Sequence, residues 1–227
     1  MRSYGQYCAL AKALDVVGDR WTLLIIRELL LRGPSRYTDL RNGLPGIATN
    51  LLADRLRELE RAEIVAREDA PPPVASTLFR LTPRGEGLRP VLDELGRWGV
   101  PYMTEGPAPR DEFRSRWLAW PAEAFLVDGE PAQPPVAIEV RAGDDEPMVI
   151  ETRAGSVESH PGRAGHPDAV LTGTPHAILG LLSGRFDLAR ARALGLEYEG
   201  DPRVLRRFRH GAPADTAKAA AGTSASR

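Results

Sequence analysis

Apolar side chains recur at helical spacing through most of the first hundred residues. Cys8, Leu10, Ala11, Leu14 and Val17 share one face of the stretch 4–17, and Gly18 ends the pattern. The next run, Trp21 to Leu31 (WTLLIIRELLL), is apolar almost all round, which predicts a helix in the centre of a core, with Asp19 as its cap. Gly33-Pro34 stops it, and Ser35 is placed to cap a shorter helix from Arg36 to Asn42. Pro45-Gly46 closes a turn, and Thr49 or Asn50 is expected to cap a helix that runs to Arg61. In that helix Leu52, Leu56 and Leu59, with Leu51 on their flank, form the buried face. Asn50, Asp54, Arg57 and Arg61 lie opposite, with Ala53 beside them.

Beyond Arg61 the period changes from helix to strand. Residues 63–67 and 77–82 read as two short strands, joined by the loop 69–76, whose three consecutive prolines deny it ladder hydrogen bonds. A further helix is expected over 85–103, with Leu88, Val91, Leu92, Leu95 and Trp98 in register and Pro90 early enough to be tolerated. Two helices separated by a Gly/Pro turn, then a two-stranded hairpin, define a winged helix-turn-helix. Residues 106–116 follow as a linker beginning Gly-Pro-Ala-Pro.

The second half mixes strands and helices, so the whole chain is of α+β class. Strands are expected at 117–120, 124–127, 136–141, 147–152, 169–172 and 196–199. Thr174-Pro175 opens a helix containing Ile178, Leu179, Leu181 and Leu182; Asp187 caps another, and Pro202 starts a last one through Phe208. The tail 211–227, rich in Ala, Ser, Thr and Gly, has no apolar periodicity and is expected to be disordered. The domains expected are thus 1–105, the linker 106–116, 117–210 and the tail.

Composition adds limits. No apolar run approaches the roughly 20 residues of a membrane span, and the N-terminus lacks a secretory apolar region, so a cytoplasmic protein without a membrane partner is expected. One cysteine, Cys8, excludes an internal disulfide framework. Net charge is −1, with 15 basic against 13 acidic residues in 1–104, so nucleic-acid binding has to rest on where arginines stand. The four histidines have no metal-ligand spacing, and neither a phosphate loop nor a nucleophile elbow is present. No metal, cofactor or catalytic residue is expected, and the chain is not read as an enzyme.

A cysteine stands before the first helix, followed by Gly-Asp-Arg-Trp-Thr at 18–22, Arg-Glu-Leu at 27–29 and Arg-Tyr-Thr-Asp-Leu-Arg at 36–41. Leu-Pro-Gly-Ile at 44–47, Arg-Leu-Arg-Glu-Leu-Glu at 55–60 and Leu-Thr-Pro-Arg-Gly at 81–85 come after. This series gives residues 7–103 a resemblance to the HxlR family of bacterial winged-helix transcriptional regulators (MarR-like). The resemblance implies a homodimer, built from the first and last helices of this region, that sets two recognition helices (48–61) into successive major grooves of double-stranded DNA at a pseudo-palindromic operator. Leu10, Leu14, Leu92, Leu95 and Trp98 are the candidate interface residues, with Trp98 in an intradomain core as the alternative.

Roles at DNA follow from position. Thr49 and Asn50, at the start of the recognition helix, reach phosphate and base edges, and Asn50 suits adenine. Ala53, Asp54 and Arg57 lie on the same face; Arg57 is expected at phosphate, and Asp54 either reads cytosine or orients Arg57. Arg55 is read as a DNA contact or as an ion-pair partner of Glu58 or Glu60. Arg36 and Arg41 bracket the preceding helix and are placed to grip the backbone, and Arg67 and Arg80 stand in for the basic residue missing from the wing tip 73–76. Cys8 resembles the redox- or electrophile-sensing cysteine of several family members, although Ala9 replaces the proline that often follows it; a small buried side chain is the other reading.

Residues 168–208 resemble a sterol carrier protein-like domain, and 117–167 do so more loosely. That resemblance implies a sheet packed on helices, with an apolar cavity lined by Val140, Ile150, Val170, Ile178, Leu179, Leu182 and Phe186 for a small apolar metabolite. The alternatives are a closed structural domain, a lipid-transfer protein, and a winged helix used for protein contacts.

Overall fold

The computed structural model describes residues 3–70, 76–103 and 105–211. The expected wing tip 73–75 and almost all of the expected disordered tail lie outside the described residues. The chain forms two compact units, Met1–Trp98 and Gly99–Arg227.

In the first unit, α1 (Ala9–Val17) is shorter than the pattern suggested and buries only Ala11 and Val17. Helix α2 (Thr22–Arg32) buries Ile25, Ile26 and Leu29, together with the carboxylate of Glu28, which Arg27 (2.9 Å) and Arg32 (3.5 Å) pair from the same helix. It is less completely enclosed than expected, because Leu24 is exposed. Asp19 does not cap it: Trp21 occupies the cap position in left-handed conformation, φ 79°. Ser35 caps nothing either, since it lies in β1 (Ser35–Arg36) and its hydroxyl donates to the Gly33 carbonyl. Helix α3 (Tyr37–Gly43) follows, its first turn held by Asp39, which accepts from the Arg36 amide.

Helix α4 (Thr49–Arg61) buries Leu52, Leu56 and Leu59, as their spacing predicts. Strands β2 (Val65–Ala70) and β3 (Ser76–Leu81) pair antiparallel, with β1 on the other edge of β3, where Ser35 faces Phe79. The joint after β3 explains the Leu-Thr-Pro-Arg-Gly run. Leu81 is buried, Thr82 accepts from the Gly85 amide, Pro83 opens α5 (Pro83–Glu86), and a Cβ on Gly85 would collide with the Ile64 carbonyl. Helix α6 (Arg89–Gly99) continues into a short 3-10 turn, Val100–Tyr102, so the helix expected over 85–103 is broken in three.

Further along the second unit come a 3-10 turn, Ser115–Leu118, and α7 (Ala119–Phe125), where strands were expected at 117–120 and 124–127; only β4 (Leu126–Asp128) is extended. Strands β5 (Ala137–Ala142), β6 (Met148–Arg153), β7 (Ser156–Pro161) and β8 (Ala169–Gly173) come next, then α8 (Pro175–Leu182), α9 (Leu188–Ala193) and β9 (Glu197–Gly200). Thr174 and Asp187 cap α8 and α9 as expected. The last helix, α10 (Pro202–Arg207), ends before Phe208, which begins β10 (Phe208–His210) and pairs with Asp128 in β4. The main sheet runs β7-β6-β5-β8-β9, antiparallel except for the central parallel pair β5–β8. Its central strands are covered on both faces: Ile138, Glu139 and Val140 are all buried.

Candidate nucleic-acid interface

The candidate interface is built on α4, because its two faces have opposite fates. With Leu52, Leu56 and Leu59 locked in the core, Thr49, Asn50, Asp54 and Arg57 are held outward and exposed, and Ala53 sits half-buried among them. The start of α4 is tied to the start of α3, where the Tyr37 hydroxyl donates to the Thr49 carbonyl at 2.5 Å. That contact, which local pattern does not reveal, fixes the two helices of the motif against each other. Thr49 is the first helical residue and Ala48 the cap, so neither Thr49 nor Asn50 caps the helix. The Asn50 side-chain oxygen accepts from the Leu51 amide at 3.0 Å.

The charged residues divide by partner. Asp54 pairs with Arg57, whose Nε also donates to the Ala53 carbonyl. Both are exposed and able to exchange partners with solvent or phosphate. Arg55 turns to the protein instead, bonding Asp19 and Glu58, with its side chain only 18% exposed. Of its two sequence readings the structure favours the ion pair, and the partners are Asp19 and Glu58, not Glu60. Arg67 pairs with Glu60 at 2.6 Å and lies over Phe79, while Arg80 pairs with Glu68 at 3.1 Å. Both strand arginines have a carboxylate beside them, although each keeps about half of its side chain exposed, as Arg57 does. Arg36 and Arg41 are exposed on either side of α3, and Arg41 has no carboxylate partner among the described residues.

Helices α1 and α6 present a different surface. Leu10, Leu14, Val91, Leu95 and Trp98 are all exposed, Trp98 to 65% of its area, so its intradomain-core reading is excluded. Leu92 departs from the interface set: it is buried inside the unit. Cys8 is exposed immediately before α1, which excludes its reading as a buried filler. The amides of Ala11 and Leu10 lower the Cys8 thiol below its ordinary range, outweighing a small opposing effect of desolvation.

In the second unit a cavity of about 70 Å³ is lined by Leu126, Ile138, Ile150, Leu171, Leu182 and Phe208, among others. Of the seven residues expected to line it, Ile150 and Leu182 do so. Val140 and Ile178 are fully enclosed in the core, Val170 and Leu179 are half-buried outside the cavity lining, and Phe186 packs edge-on to His176 and against Gly180. Ligand pockets are commonly about 300–1,000 Å³, so this space admits only a few atoms. Among the described residues no His, Cys, Asp and Glu cluster is arranged for a metal ion, and no helix is long and apolar enough to cross a membrane.

Helices α3 and α4 with the β2–β3 hairpin define a winged helix-turn-helix. Residues 16–107 match the HxlR-like helix-turn-helix family. Two similar proteins come from Bacillus subtilis (strain 168). The HTH-type transcriptional regulator YvaP is 33% identical over 92 residues, spanning 40% of this chain and 84% of that protein. The HTH-type transcriptional regulator YodB is 34% identical over 100 residues, spanning 44% and 88%. The solved reduced form of YodB aligns over 45% of this chain and 100% of its own, with 33% identity and a TM-score of 0.38. This chain belongs to the HxlR-like helix-turn-helix family, by virtue of its first unit; the family match ends at residue 107.

Proposed function

We propose that this protein is a dimeric transcription regulator that sets α4 of each copy into the major groove of a pseudo-palindromic operator. One observation carries the reading: a row of hydrogen-bonding side chains, Thr49, Asn50, Asp54 and Arg57, is held outward on a helix whose other face cannot rotate out of the core. The exposed apolar side chains of α1 and α6 support a second copy as the partner, since a monomer gains nothing from leaving Leu10, Leu95 and Trp98 in water. Arg41 is the proposed backbone contact and Asn50 the proposed base reader.

Selection from a random duplex library with the full-length protein tests this. Retained sequences are expected to contain two related half-sites, their centres about 10 base pairs or a multiple apart. Asn50→Ala is expected to weaken binding by about 1–3 kcal/mol and to relax base preference at one position in each half-site. Arg41→Ala should weaken all duplexes alike and flatten the salt dependence by about one unit per subunit. Failure of the wild type to retain any duplex at low salt would exclude the proposal and leave a protein-contact role for the wing domain.

A second reading, regulation through Cys8, is favoured by its exposure and by the lowered thiol beside the first turn of α1. A lowered pKa means more thiolate at neutral pH than in an ordinary cysteine. Alkylation of Cys8 by iodoacetamide is therefore expected to rise through a midpoint below that of a free-cysteine peptide. An equal or higher midpoint would exclude a reactive role.

For the second unit, the mixed sheet with helices supports the sterol carrier protein-like reading, and the cavity of about 70 Å³ would hold only a few atoms of an apolar ligand.

A further inference from the structure

We propose that Asp19 is a positioning residue for the recognition helix: it acts on DNA binding through Arg55 and without meeting DNA itself. The inference rests on the reading of α4 as the DNA-contacting helix and concerns what holds that helix at its working angle.

The residues that connect α1 to α2 reach the recognition helix at two points. Asp19 Oδ2 accepts from Arg55 Nη1 at 2.5 Å, across 36 positions of sequence. The same guanidinium nitrogen bonds Glu58 one turn further along α4, so Arg55 is clamped between a carboxylate of its own helix and one from outside it. Its Nε is buried and has no hydrogen-bond partner among the described residues, which shows how far the side chain has been drawn in. Two residues after Asp19, the Trp21 indole lies beside Gly46, in the turn that leads into α4. Trp21 holds φ 79°, a conformation that is an outlier for a bulky residue and persists only where the surroundings impose it.

A helix seated by three leucines and tied at its start by the Tyr37 hydroxyl can still pivot about the leucine row. Asp19 and Trp21 supply two further points of support, one near the middle of α4 and one just before its start. Glu58 alone cannot do this, because a pair within one helix leaves the helix free to turn as a body. Asp19, the carboxylate from another segment, is the member that fixes direction.

The charge argument gives the test an unusual sign. Asp19 is about half exposed. If it acted only through its charge, removing that charge would strengthen binding to a polyanion. As a positioning residue its removal weakens binding, because contacts made by Asn50 and its neighbours fall out of register.

The experiment uses the full-length protein and a duplex that the wild type has selected from a random library, titrated over a range of salt. Asp19→Asn is expected to lower affinity about tenfold, as does the loss of one well-placed base contact. Arg55→Gln should do the same with its salt slope unchanged, and the double variant should be no weaker than either single one. Asp19→Glu should recover most of the affinity. Thermal unfolding followed by circular dichroism accompanies each variant, and should either Asn or Gln variant unfold, the Asp19→Glu and Arg55→Lys pair decides by the same two criteria. Asp19→Asn binding as tightly as the wild type, or an Arg55→Gln slope lower by about one unit, overturns the inference while leaving the DNA-binding reading intact. A wild type that selects no duplex overturns both.

Discussion

Replacing Arg207 with alanine is expected to destabilise the second unit by about 3–5 kcal/mol, a large fraction of an ordinary domain's stability. Arg207 is 6% exposed and Asp128 7%, and Nη2 of the guanidinium sits 2.8 Å from one carboxylate oxygen and 3.0 Å from the other. Nε also bonds Asp128, Nη1 reaches the Pro134 carbonyl, and Nη2 lies within hydrogen-bond distance of the Glu130 carbonyl and the Thr152 hydroxyl as well. Truncation would leave the Asp128 carboxylate buried without its cation and the Pro134 carbonyl without this donor, whereas the Glu130 carbonyl and Thr152 hydroxyl keep the Gln133 and Val136 amides; the uncompensated carboxylate is where the effect arises. Urea unfolding of the full-length protein should show the loss in the transition of the second unit alone. Equal loss in both transitions, or a change under 1 kcal/mol, would mean that the pair is hydrated in solution.

The second large effect falls on the candidate interface. Leu56 is 1% exposed in the middle of α4, opposite the outward row of Thr49, Asn50, Asp54 and Arg57. Leu56→Ala is expected to cost about 2–5 kcal/mol through lost burial and the cavity left behind. Because the same helix carries Thr49 and Asn50, duplex binding should weaken on warming well before the wild type loses it. A variant with unchanged melting and unchanged binding would show that α4 is not seated as described.

The parts of the fold that were legible in sequence are those fixed by neighbours along the chain. The leucine triad of α4 set its buried face, and Thr174 and Asp187 each accept from an amide three residues on, a contact that needs no tertiary partner. Where a capping side chain had another partner, the rule failed: Asp19 was taken by the distant Arg55 and Ser35 by the carbonyl two residues behind it. The misread segment 117–125 is a short apolar run containing two tryptophans, for which helix and strand patterns coincide. Strand β1, only two residues long, exists because β3 is beside it. The same division governs the interface. Asn50 and Arg57 could be placed outward from their spacing, whereas the pairing of Arg67 and Arg80 depends on Glu60 and Glu68. The buried pair of Asp128 and Arg207 left no sequence signal, because its members lie 79 positions apart.

That separation also orders events during synthesis. Strand β4, near the start of the second unit, finds its partner only in residues 208–210, and the parallel pair β5–β8 likewise waits for chain made later. Long-range pairing of this kind is slow to form and leaves strand edges open meanwhile. The strand pairs of the first unit all lie within residues 35–81, so that sheet is free to form while the second unit is still leaving the ribosome. A nascent chain would then carry a formed α4 tethered to an unfinished second unit, and the emergence of residues 207–210 would mark the moment at which the two-stranded β4–β10 sheet and the Asp128–Arg207 pair can close.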